Sequence, residues 1–446
     1  MPTTCLPKEP LVAILGTTGT GKSDLAVDLA IRFNGEIINA DAMQMYKGLP
    51  VITNQLPLEE QRGIPHHLLA TIDPHEPTWS VDLFAREATR LIREIRSRGK
   101  LPIVVGGTHY YIHSLLFDDS LVGSQSTDDE NLQHRPQEEN AVQFPILGAP
   151  TDVMLARLRE VDPVMADRWH PDDRRKIKRS LEIFLTTGKR ASDIYTEQRQ
   201  EKASPSSRTG PWQSLMFWVY TDPEVLKERL NKRVDKMYKS GLMNEVRSLH
   251  ETRRLRSRQG EVVDLTRGIW QSIGYKQMEP FLEAEREGLS PAMVDQLKEA
   301  GLEEIRIATR QYAKYQLRWI RHKSIPAFKD HRAMDYLFLL DSSSAADFSA
   351  NVLEPAVKIC QSFFDGQDLV NPTEVSGMAS QVLSAFENET APQNPTFKVK
   401  TCEVCGVSLQ TEDQWEKHIK GRKHRRVLRS QKKTALISVN PEEQHL

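Results

Sequence analysis

Short apolar runs alternate with segments of helical periodicity along much of the chain. Residues 79–99 form one such segment: apolar side chains from Leu83 to Ile95 share one face of a predicted helix that ends at Gly99. Apolar runs of strand length lie between such segments, which is typical of a parallel sheet covered by helices. The predicted strands are LVAIL (11–15), EIINA (36–40), LPIVVGG (101–107), LMFWVYT (215–221) and DYLFLLD (335–341).

The pattern changes in two places, and both changes predict domain boundaries. Residues 120–145 are polar and acidic and predict an exposed connection, after which residues 151–200 are helical and basic. Residues 366–396 are rich in Ser, Pro, Asn and Glu and predict a linker. The expected fold class is α/β, with a parallel sheet core, an inserted helical module and a small C-terminal module. The expected boundaries are 1–120 and 212–345 for the core, 146–211 for the inserted module, 346–396 for a helix and flexible linker, and 397–433 for the C-terminal module with its basic tail.

Composition excludes several classes of protein. The 446 residues include 60 Lys or Arg and 61 Asp or Glu, so the net charge does not indicate a polyanionic partner. The four cysteines are too few for a disulfide-dense scaffold and suit a reducing compartment. No apolar run is long enough to span a membrane, and MPTTCLPKEP lacks the apolar region of a secretory signal. We expect a monomer without a membrane partner in the cytoplasm, with the mitochondrion and the nucleus as alternative locations.

The stretch GTTGTGKS, residues 16–23, fits the phosphate-binding pattern GxxxxGK[ST] between a predicted strand and a predicted helix. Backbone N–H groups of such a turn converge on an anion at the start of the helix. Lys22 would neutralise a phosphate, and the Ser23 hydroxyl would hold magnesium. The motif makes the core P-loop NTPase-like, although kinases, ATPases and several transferases share it. The residues expected to hold phosphate are Thr18, Gly19, Thr20, Gly21, Lys22 and Ser23.

Two polar residues follow predicted strands at the edge where parallel sheets bind their ligands. Asp41 closes the second strand, and its carboxylate could coordinate magnesium, accept a proton from a substrate or cap a following helix. Thr108 follows two glycines at the end of the third strand. Its hydroxyl could face the cleft or cap a helix.

Residues 305–321 predict a helix with two distinct stripes. One stripe is apolar and is expected in the core rather than as a base-stacking platform. The other is basic and recurs every four residues, so its like charges repel one another unless an anion lies beside them. The apolar stripe consists of Ile305, Ala308, Tyr312, Tyr315 and Trp319, and the basic stripe of Arg306, Arg310, Lys314 and Arg318.

The C-terminal module has a metal-binding pattern. Cys402-x2-Cys405-x12-His418-x5-His424 has the order and spacing of a two-cysteine, two-histidine zinc finger, which is a ββα module. Leu409 and Trp415 lie between the two ligand pairs, where the module needs a core. From residue 398 to 433, eleven Lys or Arg stand against four Asp or Glu. This basic segment could contact RNA or act as a nuclear-import signal.

Four further motifs follow the phosphate loop in order: DAMQMY (41–46), GGTHYY (106–111), GYKQ (274–277) and TRQYAKYQLRW (309–319). Together the five motifs resemble the tRNA dimethylallyltransferase family, also called tRNA isopentenyltransferase, from about Leu11 to about Lys323. The added zinc finger resembles the eukaryotic form. The resemblance implies transfer of a dimethylallyl group from dimethylallyl diphosphate to the exocyclic N6 amine of the adenosine at tRNA position 37, with release of diphosphate.

The resemblance also implies roles for individual residues. Asp41 would be the proton acceptor, and Thr108 would lie near the bridging oxygen of the donor. Lys22 and Arg233 would neutralise the diphosphate, with magnesium aided by Ser23; a solvated helix charge is the alternative for Arg233. By the resemblance, Asp41, Ala42, Met43 and Gln44 would contact the extruded base of the tRNA anticodon stem-loop. Arg175, Lys176 and Arg179 in the inserted tRNA-binding module match the family's second tRNA-contacting segment only in outline, but their charge fits a phosphate-binding face. For Arg310 and Lys314 the charge pattern alone predicts an anionic partner, either RNA phosphate or the donor diphosphate.

Other readings of these residues stay open. Arg175, Lys176 and Arg179 could form an exposed helix face that only meets solvent. A P-loop small-molecule or nucleoside kinase fits the phosphate loop, and an adenine-nucleotide prenyltransferase fits the motifs but needs neither the inserted module nor the finger. An RNA-binding protein with a nucleotide switch would bind dimethylallyl diphosphate unproductively. Donor-dependent modification of tRNA therefore separates the main interpretation from all three.

Overall fold

The computed structural model describes residues 9–117, 144–202, 212–387 and 400–428, with the exception of residues 410 and 423. This part of the chain divides into two compact units, with boundaries at Leu121, Ser204 and Thr390. The segments before Leu121 and between Ser204 and Thr390 form the first unit; the inserted segment and the C-terminal segment form the second. Most of the predicted connection at 120–145 and the end of the basic tail lie outside the described residues.

The first unit contains a parallel sheet of six strands: β1 (Pro10–Gly16), β2 (Gly35–Asn39), β3 (His66–His67), β4 (Leu101–Val105), β5 (Gln213–Tyr220) and β6 (Leu337–Asp341). Their order across the sheet is β3-β2-β4-β1-β5-β6, and every neighbouring pair is parallel. The predicted α/β class and all five predicted strands are confirmed, whereas the two-residue β3 was not predicted.

Strand β1 lies in the middle of the sheet and pairs with β4 on one edge and β5 on the other. Leu11, Ala13 and Leu15 pack into one layer of the core, and Val12 and Ile14 pack into the other. Because both faces are buried, the strand needs apolar residues at every position. This is why the sequence shows an unbroken apolar run immediately before the phosphate motif.

Helices cover both faces of this sheet and also build the second unit. The helix predicted at 79–99 is confirmed and runs from Val81 to Ser97; its N-cap Ser80 accepts a hydrogen bond from the Leu83 N–H at 3.1 Å. In chain order the α-helices are α1 (Lys22–Arg32), α2 (Val81–Ser97), α3 (His109–Leu116), α4 (Thr151–Val161), α5 (Pro163–Arg168), α6 (Arg174–Thr187), α7 (Ala191–Lys202), α8 (Pro223–Lys239), α9 (Leu242–Arg258), α10 (Tyr275–Glu287), α11 (Pro291–Trp319), α12 (Ile325–Asp330), α13 (Glu354–Phe364), α14 (Gly377–Glu387) and α15 (Glu412–Ile419).

The linker predicted at 366–396 is wrong in its middle part, which forms α14. Ala379, Leu383 and Phe386 are almost fully buried in the core of the first unit. The Phe386 ring lies 6.4 Å from that of Trp218 on β5. Apolar residues three and four positions apart outweigh a composition that suggested a linker. The first unit therefore extends to at least residue 387.

The apolar stripe predicted on α11 is also partly wrong. Tyr315 is 56% exposed, whereas Ala313 and Gln316 are 4% and 1% exposed. The buried residues of α11 are Gly301, Leu302, Ile305, Ala313 and Gln316, and the small ones among them let neighbouring helices approach. At Gly301, for example, an added Cβ would lie 2.5 Å from the Met278 sulfur on α10.

The second unit joins two segments that are far apart in the sequence. Helices α4 to α7 enclose a separate apolar core that includes Met154, Leu158, Ile177 and Leu181. The C-terminal segment forms a hairpin of β7 (Lys400–Thr401) and β8 (Ser408–Leu409), followed by α15. Within this unit, the His170 Nε2 lies 3.1 Å from the Ser408 carbonyl oxygen. The inserted helices and the ββα module thus touch each other.

Across the described ranges, we find no helix that combines the length and the apolar character needed to cross a bilayer.

Candidate active site and zinc site

The loops after β1, β2 and β4 meet at one edge of the sheet because these three strands are neighbours. Parallel sheets bind ligands at this edge, where the strand order reverses. A cavity of about 910 Å³ opens there. Its lining includes Thr18, Lys22, Ser23, Asp41, Gly107 and Arg233. Residues expected from sequence to hold phosphate and to accept a proton therefore share one cavity.

The phosphate loop has the backbone of a P-loop. Gly16, Gly19 and Gly21 all have positive φ angles, of 142°, 90° and 86°. At Gly16 an added Cβ would lie 2.4 Å from the Val219 carbonyl oxygen, so the loop passes β5 too closely for any other residue. The Thr20 hydroxyl donates to the Thr17 carbonyl at 3.0 Å and closes the turn.

Two cations enter the cavity beside this loop. The Lys22 Nζ donates to the Thr17 carbonyl oxygen at 2.5 Å, and the Arg233 Nη1 donates to the Thr18 hydroxyl at 2.5 Å. Burial and the nearby Arg233 lower the pKa of Lys22 to about 7, while Asp41 opposes this shift. Burial also lowers the pKa of Arg233, opposed by Asp24 and Asp41. Two desolvated cations in one cavity attract a multiply charged anion, because the anion would restore the charge balance lost on burial.

Asp41 lies two residues after the end of β2 and is half-buried. Its Oδ1 accepts the Met43 N–H at 3.1 Å, and its own N–H donates to the Asn39 Oδ1 at 3.1 Å. Burial raises the pKa of Asp41, although hydrogen bonds from the backbone of Met43, Gln44 and Gly107 and the charge of Lys22 oppose the rise. The bond from the Met43 N–H caps a turn, so the capping role considered for Asp41 accounts for its Oδ1 oxygen only. The carboxylate also lines the cavity, where a base would be needed.

Thr108 ties two of the loops together. It occupies the N-cap position of α3, but its side chain makes no capping hydrogen bond there. Its Oγ1 instead accepts the Ala42 N–H at 3.0 Å, and its N–H donates to the Ala40 carbonyl at 3.1 Å. The described residues that line the cavity do not include Thr108. The hydroxyl thus lies next to Asp41 and fixes the backbone that follows it.

Gln316 is a residue of this site to which the sequence analysis gave no role. Its side chain is almost fully buried and reaches both the phosphate loop and Gly107. Only its place in the motif TRQYAKYQLRW drew attention to it, since a glutamine on a helix carries no signal of its own.

The expected RNA contacts are spread over several surfaces. Ala42, Met43 and Gln44 are half-buried after β2, and the Gln44 Nε2 donates to the Asn54 carbonyl at 3.0 Å. On α11, Arg310 pairs with Glu303 at 3.2 Å, and Lys314 is exposed. The basic stripe therefore does not need an external anion along its whole length, because acidic neighbours balance part of it.

The basic residues of α6 have acidic neighbours as well. Lys176 pairs with Asp173 at 2.8 Å, and Arg179 pairs with Glu182 at 3.1 Å, while Arg175 is exposed. The Lys176 Nζ also lies 5.1 Å from the centre of the Trp169 ring. Surface pairs of this kind are weak and can exchange a carboxylate for a phosphate at small cost.

The four predicted zinc ligands converge at the C-terminus. The Sγ atoms of Cys402 and Cys405 lie 3.5 Å and 3.4 Å from the His424 Nδ1, and the His418 Nε2 lies 3.2 Å from the same atom. A tetrahedral zinc ion would separate a nitrogen and a sulfur ligand by about 3.5 Å and two nitrogen ligands by about 3.3 Å. All four ligand atoms lie within 4.8 Å of one another. The residues therefore fit zinc, as the spacing predicted.

Comparison with known proteins identifies the family. The model of the IPP transferase family matches residues 44–323, and a model described as a zinc-finger of C2H2 type matches residues 400–424. The chain belongs to the IPP transferase family. The resemblance found in the motifs is thus confirmed, and so is the C-terminal zinc finger.

Two relatives and one solved structure extend the match over almost the whole chain. The tRNA dimethylallyltransferase of Schizosaccharomyces pombe is 38% identical over 438 residues, which cover 96% of each chain. The human tRNA dimethylallyltransferase is 35% identical over 441 residues, covering 97% of this chain and 88% of its own. A solved eukaryotic dimethylallyltransferase acting on tRNA superposes with a TM-score of 0.77 at 32% identity, covering 97% of this chain and 99% of its own. The similarity thus includes the phosphate loop and the finger, which flank the family match.

Proposed function

We propose that this protein is a tRNA dimethylallyltransferase, which transfers the dimethylallyl group of dimethylallyl diphosphate to the exocyclic N6 amine of the adenosine at tRNA position 37. The observation that carries the proposal is the shared cavity of the P-loop, the cations Lys22 and Arg233, and the carboxylate of Asp41. Family membership selects prenyl transfer among the reactions that such a cradle supports.

The diphosphate of the donor is the anion that this cavity fits. Backbone N–H groups of residues 19–23, at the start of α1, would hold its oxygens. Lys22 and Arg233 would neutralise the charge that develops as diphosphate leaves. Magnesium, which the Ser23 hydroxyl and diphosphate oxygens would hold, would supply further neutralisation; Ser23 fits this role because it lines the cavity next to the start of α1.

Asp41 would act on the acceptor. An exocyclic adenine amine is a weak nucleophile, so the site must align it with the donor carbon and remove a proton. As the nitrogen–carbon bond forms, the carbon–oxygen bond of the donor breaks and its electron pair leaves with diphosphate. The amine proton passes to Asp41, whose raised pKa makes the carboxylate a stronger base than an exposed aspartate.

The tRNA would be held at several points. An adenine in an anticodon loop must leave its stack before an enzyme reaches its amine, and residues 41–44 are proposed to contact the extruded base. Arg175, Lys176 and Arg179 on α6, Arg310 and Lys314 on α11, and the basic finger are proposed to contact phosphates.

The test is a transfer assay with mass analysis of nucleosides. The protein is incubated with dimethylallyl diphosphate, magnesium and unmodified tRNA, and in parallel with AMP in place of tRNA. We expect a dimethylallyl mass gain on adenosine in the tRNA arm. A gain only with AMP would support an adenine-nucleotide prenyltransferase, and no gain with folded protein and several tRNAs would contradict the proposal.

A monomeric state and location in the cytoplasm remain predictions. Light scattering of the purified protein and fluorescence of a tagged chain in cells would check them.

A further inference from the structure

Gln316 joins two loops of the cavity through a single amide. Its Oε1 accepts the Thr18 N–H at 2.8 Å, and its Nε2 donates to the Gly107 carbonyl oxygen at 3.0 Å. Gln316 is only 1% exposed; its bond to Gly107 is buried and its bond to Thr18 is partly buried. Thr18 belongs to the phosphate loop, and Gly107 belongs to the loop after β4.

Each end of this bridge continues into the groups that carry the chemistry. The Thr18 hydroxyl accepts from the Arg233 guanidinium at 2.5 Å. At Gly107 an added Cβ would lie 3.0 Å from the Asp41 Oδ2 and 2.4 Å from the Gln316 Nε2. The amide, the glycine backbone and the carboxylate are therefore packed without spare room.

We propose that Gln316 is a positioning residue that sets the spacing between the diphosphate loop and the Asp41–Thr108 side of the cavity. The inference rests on the proposed function, because this spacing determines how the donor carbon meets the acceptor amine. Transfer between two bound substrates is sensitive to small errors in alignment.

The chemistry of the side chain makes the proposal specific. An amide is both an acceptor and a donor, and the bridge uses one of each. An ionised glutamate at this position could accept the hydrogen bond from the Thr18 N–H. It has no proton to donate to the Gly107 carbonyl oxygen, so two acceptor oxygens would face each other there. A protonated glutamate would again offer one acceptor and one donor in nearly the same shape. A leucine of similar size would offer neither and would leave both backbone groups without partners.

The experiment compares Gln316→Glu, Gln316→Leu and the parent, with Gln296→Leu as the matched control. Gln296 lies on the same helix α11 but is exposed. Transfer kinetics are measured from pH 5.5 to 8.5, inorganic diphosphate binding is measured by calorimetry, and thermal unfolding checks the fold. Crystal structures of the parent and Gln316→Leu with inorganic diphosphate give the distance between the two loops.

We expect kcat of Gln316→Leu to fall by about 10- to 100-fold, while its diphosphate affinity stays within about threefold of the parent. The kcat ratio of Gln316→Glu to the parent should rise as the pH falls, because protonation restores the missing donor. An ionised glutamate would also shift the titration of the nearby Asp41, so the ratio is read together with the loop spacing in the crystal structures. Gln296→Leu should match the parent throughout.

Three results would overturn the inference: kcat values within about twofold of the parent with a ratio independent of pH, a loss confined to diphosphate affinity, or an unchanged loop spacing in the crystal structures. If the parent transfers nothing to tRNA, the proposed function fails. The role of Gln316 in fixing the loops is then decided by the crystal structures alone.

Discussion

The phosphate cradle and the zinc finger position their ligands by different physical means. The strands that carry the cradle are buried on both faces. Strands β2 and β4 pair over all five residues of each, and β4 also pairs with the central strand β1 over three residues. The finger has two strands of two residues and a helix of eight, and α15 contains no buried residue. Its buried side chains include two of the proposed zinc ligands, Cys402 and His424.

The free energy that orders each site therefore comes from a different source. Burial of a large apolar core orders the cradle before any ligand arrives, so the loops are preorganised for an anion. So few buried groups cannot offset the conformational entropy of the finger, and metal coordination must supply the difference. The cradle should therefore respond to point changes in its chemistry, and the finger to removal of its ion.

The largest effect is expected from a change that alters the cradle's chemistry but not its scaffold. Asp41→Asn should lower turnover by about 10² or more, because the amide cannot take the amine proton, with the fold and donor binding kept. Single-turnover rates at saturating donor and tRNA measure this, and Asp368→Asn, at an exposed position, is the control. Near-normal turnover would mean that Asp41 only caps its turn.

A smaller effect is expected from Lys22→Ala. Removing a buried cation from the cavity should raise the donor concentration at half-maximal rate by about 10-fold or more, because one charge-assisted contact with the diphosphate is lost. Donor titrations of the variant and of the exposed-site control Lys358→Ala would be compared. An unchanged donor dependence would mean that the cavity holds a different ligand.

Zinc removal tests the other side of the comparison. A chelator, or Cys402→Ala combined with Cys405→Ala, should unfold the finger and weaken tRNA binding by about 10-fold, while maximal turnover changes little. The salt dependence of tRNA binding should also flatten, because fewer phosphates are contacted. Binding and turnover across a salt series measure both quantities. A collapse of maximal rate with unchanged tRNA affinity would show that the finger shapes the active site.

The smallest effect concerns a buried charge cluster in the sheet of the first unit. Glu36 on β2 accepts hydrogen bonds from His67 at 2.6 Å and Arg98 at 2.6 Å and pairs with Lys100 at 2.9 Å. Burial opposes ionisation of Glu36, but these bonds outweigh it and lower its pKa to about 2 from the usual 4.5. Its contribution to stability is therefore full above pH 4.5 and is lost as the pH falls toward 2.

Glu36→Gln should accordingly lower the free energy of unfolding of the first unit by about 1 kcal/mol at pH 7, a modest value because the basic partners are partly exposed. The difference between parent and variant should shrink as the pH falls from 4.5 to 2. Hydrogen exchange of the β2 and β4 amides follows this unit separately from the finger. If the difference in free energy of unfolding between parent and variant grew as the pH fell, the pKa of Glu36 could not be lowered in the folded protein.

Sequence patterns predicted the features that depend on residues close to one another along the chain. Apolar runs located the five longer strands because parallel strands that are buried on both faces are mostly apolar. The zinc ligands were found completely, since their chemistry and spacing are local. Helix α14 was missed because polar neighbours on both sides hid its six apolar positions from Met378 to Phe386.

The bridge of Gln316 could not be predicted by the same reasoning. It joins positions 298 residues apart, and nothing around Thr18 signals a partner on α11. The same holds for the exposure of Tyr315, which depends on which face of α11 the neighbouring helices cover. Tertiary packing decides these positions, and a single sequence does not encode packing as a periodicity.

Strand β1 is synthesised long before β5, the strand with which it pairs, so this pairing is delayed during translation. Pro10 pairs with Gln213, so the central strand leaves the exit tunnel long before its partner is made. At typical elongation rates of about 5–20 residues per second, the wait is about 10–40 seconds. During that time one edge of an entirely apolar strand has no neighbour and can pair with other nascent chains. The core of this protein is therefore expected to depend on chaperones that shield β1 while the inserted module is being synthesised.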